Sequence, residues 1–165
     1  MDSSLLQQVY RQYGREIYIY LYTLCRRHDM AEDLCQETFL KAILSLPNDH
    51  ANVRAWLYRV ARNCCLNALQ KEKREDGELT EDMPDERSDL EETVLHGMRN
   101  QALYRALLQI DGVKREILLL HYFSGMAYRD IAALLGRSGE NVRVLSYRAK
   151  KELKQYMEEC GYDVQ

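Results

Sequence analysis

The residues best equipped to do chemistry lie in AYRDIAALLGRSGENVRVLSYRAKKEL, Ala127 to Leu153. Arg143, Tyr147, Lys150 and Lys151 recur about a turn apart with Arg148 beside them, so a helix through this segment carries a cationic face. An arginine can read a guanine edge through two hydrogen bonds, whereas a lysine holds phosphates without reading sequence. Ala132, Gly136, Val142 and Leu145 follow at spacings of four, six and three residues. They supply the small crossing residue, the flexible turn residue and the apolar anchors that a helix-turn-helix needs. An antiparallel helical hairpin with a solvated basic face is the plainer alternative. The coincidence of four packing positions with a cationic outer face favours DNA binding.

A second surface comes from the helix expected over Asn52 to Arg74. Val53, Trp56, Leu57, Val60, Ala61, Cys64 and Ala68 form its apolar set, which leaves Arg54, Tyr58, Arg62, Asn63, Asn67, Gln70 and Lys71 largely opposite. Cations, amides and a ring are what separated DNA strands require, because exposed bases stack on aromatics and phosphates attract cations. A solvated face with one exposed Tyr has the same pattern. Trp56, spaced with Val53 and Val60, is assigned to the core.

Other chemistries find little support. His28, His50, His96 and His121 are scattered, no glycine-rich phosphate loop is present, and no nucleophile has an evident base, so neither enzymatic activity nor a small-molecule substrate is expected. The five cysteines, Cys25, Cys35, Cys64, Cys65 and Cys160, include no CxxC pair and no His at ligand spacing, which gives no metal and no cofactor. Cys64 and Cys65 read as small buried hydrophobes in preference to a redox sensor.

The positioning elements follow from periodicity and charge. Leu5, Val9, Ile17, Leu21 and Leu24 mark a first helix of about six turns, with Ser3 or Ser4 as a cap. Leu34, Cys35, Thr38, Phe39, Ala42, Ile43 and Leu46 mark a second, beginning after Asp29 and ending at Pro47. Charge divides the chain more sharply than its net of -3 suggests: Arg54 to Arg74 carries +5, Glu75 to Glu92 carries -9, and Arg129 to Lys154 carries +4. The expected fold is all-α, with two small helical domains at residues 1–74 and 93–165 joined by a flexible acidic linker at 75–92, the second domain containing the helix-turn-helix. Val94, Met98, Leu103, Leu107 and Leu108 open that domain, followed by Ile117, Leu118 and Leu120. With no leader pattern and no membrane-spanning run, a cytoplasmic location is expected.

Taken together, these segments resemble the extracytoplasmic-function sigma factors, small bacterial promoter-recognition subunits of the sigma-70 family. AEDLCQETFLKAI, Ala31 to Ile43, is similar to the segment that docks on the clamp helices of the polymerase largest subunit. RAWLYRVARNCCLNALQKEKR, Arg54 to Arg74, resembles the segment that melts and reads the minus-10 element, and Arg115 to Met157 resembles the helix-turn-helix that binds the minus-35 element. The resemblance implies that Asp33, Gln36, Glu37 and Leu40 meet core RNA polymerase. It implies minus-10 contacts from the loop Asn48 to Asn52 and from Asn63, beside Arg54, Tyr58, Arg62, Asn67 and Lys71. In the minus-35 segment it implies contacts from Arg137, Asn141, Arg143, Val144, Tyr147 and Arg148, with Lys150 and Lys151 on phosphates. Promoter DNA is then a partner, as is an anti-sigma protein, in many cases membrane-attached. Three departures from the family stand out. Ile110 and Asp111 replace a frequent Leu-Pro, with Asp111 able to cap the next helix; Ala127 replaces a Ser or Thr cap; Val144 and Leu145 replace frequently polar positions. A stand-alone helix-turn-helix regulator that never enters polymerase would explain Ala127 to Leu153 but leave Ala31 to Ile43 without a purpose.

Overall fold

Apolar residues three and four apart build the first unit. In a computed structural model, which describes residues 3–45, 52–76 and 101–159, every element among those residues is helical. The chain divides into two compact units, Met1–Leu90 and Glu91–Gln165.

The first unit packs α1 (Ser3–Cys25), α2 (His28–Ser45) and α3 (Val53–Asp76) pairwise on one another. Ile17, Tyr20 and Leu21 of α1, Leu34, Phe39 and Ala42 of α2, and Leu57, Ala61 and Cys65 of α3 form the core. Each large apolar side chain buried there contributes about 1.5–3 kcal/mol. The buried hydroxyls of Thr23 and Thr38 donate to the carbonyls of Ile19 and Leu34 at 2.8 and 2.7 Å, so neither is left unsatisfied.

Arg26 ends α1 in the left-handed region, with φ at 61°, while its N–H donates to the Tyr22 carbonyl at 2.7 Å. Arg27 then reaches Glu72 of α3 at 2.6 Å, pinning the turn between α1 and α2 to the third helix. The second helix starts at His28, ahead of the expected position after Asp29. His28 is held by the Tyr18 hydroxyl at 2.5 Å and by Glu32 at 3.0 Å, which fixes the two extra residues at that end. At the far end of α3 the helix continues to Asp76, so the first two residues of the expected linker are helical. Leu46, Pro47, residues 77–92 of the linker, Val94, Met98 and Cys160 lie outside the described residues.

The second unit comprises α4 (Gln101–Leu107), α5 (Gly112–Leu118), a π-helical turn (Leu119–Phe123), α6 (Tyr128–Leu135) and α7 (Gly139–Glu159). Asp111 caps α5, its carboxylate accepting from the Lys114 N–H at 3.4 Å, as its type and position predict. Past α5 the Ser124 N–H donates to the Leu119 carbonyl five residues back, the widened spacing of a π turn.

Ala127 precedes α6 in extended backbone with no side-chain cap, the consequence expected of replacing a Ser or Thr there. Gly136 ends α6 at φ 66°, a conformation glycine adopts without steric penalty. Ser138 then starts α7, its Oγ accepting from the Asn141 N–H at 3.0 Å. Ile131, Ala132, Val142, Ser146 and Ala149 are buried where α6 and α7 pack, and Leu145 is half-buried. Ser146 shares a 2.9 Å hydrogen bond with Tyr128, whose ring stacks on His121 at 4.0 Å.

Candidate functional site

Because Val142, Ser146 and Ala149 face inward at spacings of four and three, the opposite side of α7 must face out. Arg143, Val144, Tyr147, Arg148, Lys150 and Lys151 are all exposed on it. Glu152 is turned away toward Lys114 of α5, 3.1 Å from its ammonium, so this acid does not offset the cationic face. Lys151 lies over the Tyr147 ring at 5.0 Å and Lys150 over the Tyr122 ring at 5.2 Å, contacts that order two otherwise mobile side chains. The hydrogen bond that Lys150 donates to the Tyr122 hydroxyl holds the Lys150 pKa above the ordinary lysine value, so the ammonium stays charged. Arg137 donates to the Asn141 side chain at 2.9 Å, which joins two of the expected contact residues at the head of the helix.

The α3 surface is less uniform than the sequence implies. Asn52, Asn63, Asn67 and Lys71 are exposed, and Arg62 is half-buried. Asn52 also caps α3, its Oδ1 accepting from the Ala55 N–H at 3.1 Å. Arg54 is tied to Glu16 of α1 at 3.1 Å and lies over the Tyr13 ring at 5.7 Å.

Tyr58 requires a correction. Expected as an exposed ring for base stacking, it is 0% exposed, packs edge-on against Tyr20 at 4.9 Å, and donates its hydroxyl to Glu16 at 3.1 Å. The inward stripe runs through Leu57, Tyr58, Ala61, Cys64 and Cys65, rotated from the expected set toward Tyr58. Trp56 is accordingly half-buried rather than central to the core. Burial raises the Glu16 pKa above the usual carboxylate value despite the opposing influence of Arg54 and Tyr58. Asn48 lies outside the described residues.

On α2, Asp33, Gln36, Glu37 and Leu40 are exposed in one stripe, as their spacing predicts, with Leu40 at 57%. Leu44, a turn beyond and 79% exposed, extends that stripe, and the sequence reading missed it. Its signal was available: once Ala42 and Ile43 fill the core, Leu40 and Leu44 remain as an apolar pair four residues apart. An open cleft of about 500 Å³ lined by Leu6, Tyr10, Phe39 and Leu40 borders the stripe. Tyr122, beside Lys150, was missed as well, because no residue pattern announced the π turn that presents it. Among the described residues no cluster of His, Cys, Asp and Glu is placed to hold a metal, and no helix is long and apolar enough to cross a membrane.

Comparison with known proteins covers both units. The family model described as Sigma-70 region 2 matches residues 9–75, and that described as Sigma-70, region 4, matches residues 100–153. The RNA polymerase sigma factor YlaC of Bacillus subtilis is 30% identical over 164 residues, covering 92% of this chain and 91% of that protein. The ECF RNA polymerase sigma factor SigM of the same organism is 26% identical over 155 residues, covering 90% of this chain and 93% of that protein. Among solved structures, the sigma factor RpoE in complex with the anti-sigma factor NepR from Bartonella quintana matches with a TM-score of 0.70 at 26% identity, over 92% of this chain and 96% of that one. CnrH, solved in complex with the cytosolic domain of CnrY, shares the fold with a TM-score of 0.66 at 19% identity, over 96% of this chain and 90% of that one.

Proposed function

The chain belongs to the extracytoplasmic-function sigma factors of the sigma-70 family and binds core RNA polymerase for promoter-specific initiation; from that premise we propose a division of labour between its two units. The first unit docks on the polymerase through Asp33, Gln36, Glu37 and Leu40, with Leu44 extending the apolar end of the stripe. It holds the separated minus-10 strand with Asn52, Arg62, Asn63, Asn67 and Lys71, joined by Asn48, while Arg54, tied to Glu16, borders that surface. The second unit reads minus-35 duplex with Arg143, Val144, Tyr147 and Arg148, flanked by Arg137 and Asn141, while Lys150 and Lys151 grip phosphates.

The observation that carries this reading is that each matched region falls in its own compact unit. Each unit also offers an exposed surface of the chemistry its task requires. Tethering both to one enzyme raises the effective concentration of each, so two weak DNA grips suffice. A stand-alone regulator has no use for the region 2 match, and that alternative is set aside.

The chain catalyses no reaction of its own; the polymerase does the chemistry. The acidic segment 75–92 serves as the linker between residues 1–74 and 93–165, and its charge discourages the free protein from collapsing onto DNA. An anti-sigma protein holds the chain inactive in the cytoplasm, by analogy with the RpoE and NepR pair.

Pull-down with core polymerase, followed by transcription from a promoter library, tests the reading. The expected outcome is a stable complex that starts transcripts at discrete sites. A complex that initiates no better than core by itself would contradict it.

A further inference from the structure

Tyr122 lies outside α6 and α7, on the π-helical turn that precedes them, and is 58% exposed. A chain of contacts nevertheless fixes its ring. It meets the His121 ring edge-on, 4.7 Å between centroids, and His121 stacks on Tyr128 at 4.0 Å. The Tyr128 hydroxyl shares a 2.9 Å hydrogen bond with buried Ser146 of α7. His121 is held from its own side as well, its Nδ1–H donating to the Met126 carbonyl at 2.9 Å. Tyr122 is thus registered to α7 through two neighbouring rings, and the Lys150 ammonium of that helix lies 5.2 Å from the centre of its ring. An exposed side chain already ordered in this way gives up little freedom on meeting a ligand.

We propose that Tyr122 is a phosphate-binding residue of the minus-35 interface, its hydroxyl donating to the same DNA phosphate that the Lys150 ammonium holds; the inference rests on the minus-35 reading of the second unit. The second helix of a helix-turn-helix reads base edges with its N-terminal residues. Lys150 stands seven residues past Arg143 on α7, roughly 10 Å further along the axis, where the duplex offers backbone in place of base edges. Tyr122 reaches the same place from a different element, so the two side chains close on one phosphate from two directions. Stacking on a base is not open to this ring, because the bases of a duplex are stacked on one another and Lys150 lies over the ring face. The Tyr122 hydroxyl accepts from Lys150 and is hydrogen-bonded to Tyr128. For its proton a phosphate oxygen is a stronger acceptor than a phenol, since the phosphate carries charge.

The test uses the chain bound to core polymerase and a promoter fragment at which that complex starts transcription, with single neutral methylphosphonates placed in turn across the minus-35 region and affinity measured at fixed salt. The wild-type complex should lose about tenfold at the phosphate that Tyr122 and Lys150 share. Tyr122→Phe keeps the ring and its packing on His121 and removes only the hydroxyl. It should bind the unmodified fragment several-fold more weakly and lose much less than wild type at one methylphosphonate, the same one to which Lys150→Gln has become less sensitive. Wild-type affinity in Tyr122→Phe would overturn the proposal. So would a weakening by one constant factor at every substituted phosphate, which is what a purely structural role gives, or coupling to a phosphate other than that of Lys150. Those three results leave the duplex reading of the second unit standing. A wild-type complex indifferent to every methylphosphonate and to a scrambled minus-35 sequence would remove that reading and this inference with it.

Discussion

The two units solve the placement of positive charge in opposite ways. On α3 the first cation, Arg54, is committed to Glu16 within the protein, and the aromatic beside it, Tyr58, is buried against the same carboxylate. On α7 the acid Glu152 is drawn off to Lys114, and the cations are left exposed and propped against exposed tyrosines. Intact duplex presents a dense line of phosphates that rewards a free cationic face. Separated strands give up more through their bases, which a surface of amides such as Asn63 and Asn67 can meet. The first unit also reserves a face of different chemistry on α2, where exposed Asp33, Gln36 and Glu37 lead into exposed Leu40 and Leu44.

The largest expected effect tests whether the units are independent. Val142→Asp places an unpaired carboxylate in a fully buried position of the second unit, at a cost of about 3–5 kcal/mol. Urea unfolding followed by circular dichroism should show that unit lost while the α1–α3 transition keeps its midpoint; a joint collapse would break the contrast.

Next, Glu16→Ala leaves the Arg54 guanidinium and the Tyr58 hydroxyl without their shared acceptor, and should destabilise the first unit by about 1–3 kcal/mol in chemical denaturation. A smaller loss would mean that the internal tie on α3 is weak and that Arg54 is as free as the α7 cations. On α7 itself, Lys151→Ala should weaken duplex binding to a similar extent for all sequences and lower the salt dependence by about one counterion. A change in sequence preference would move Lys151 from phosphate holding to base reading.

Ala127→Ser supplies the cap that α6 lacks and should raise the melting temperature of the second unit, consistent with about 1 kcal/mol. The smallest effect is a pH dependence in the first unit. Because the folded-state pKa of Glu16 is raised, its proton-linked stability is present below the unfolded value near 4.5 and is lost as pH rises through the folded value. Glu16→Gln lacks this dependence, so its stability relative to wild type should improve as pH rises from about 4 to about 7. A gap that stays constant or closes the other way would remove burial as the cause.

What the residues reveal in advance, and what they conceal, follows the same division. The helix-turn-helix is legible because local rules dictate it: Gly136 takes a left-handed turn, Ser138 caps the next helix, and Val142 and Ala149 lock that helix inward. The α2 stripe is legible for a similar reason, since Leu34, Thr38 and Phe39 leave only one way for Asp33, Glu37 and Leu40 to face. Tyr58 is not legible. A tyrosine counts as a surface residue in an apolar pattern, and the partner that draws it inward, Glu16, sits 42 residues away on another helix. A separation of 45 residues likewise hides the tie of Arg27 to Glu72, because long-range polar pairs leave no period in the sequence.

The proposed division of labour is tested most directly by titrating the chain against fixed core polymerase and measuring run-off transcription from one promoter. Glu37→Ala should need several times more protein to reach the wild-type plateau, because mass action overcomes a docking defect. Arg148→Ala should saturate at the wild-type concentration and stop at a lower plateau. Two variants that shift the same parameter in the same direction would contradict the account.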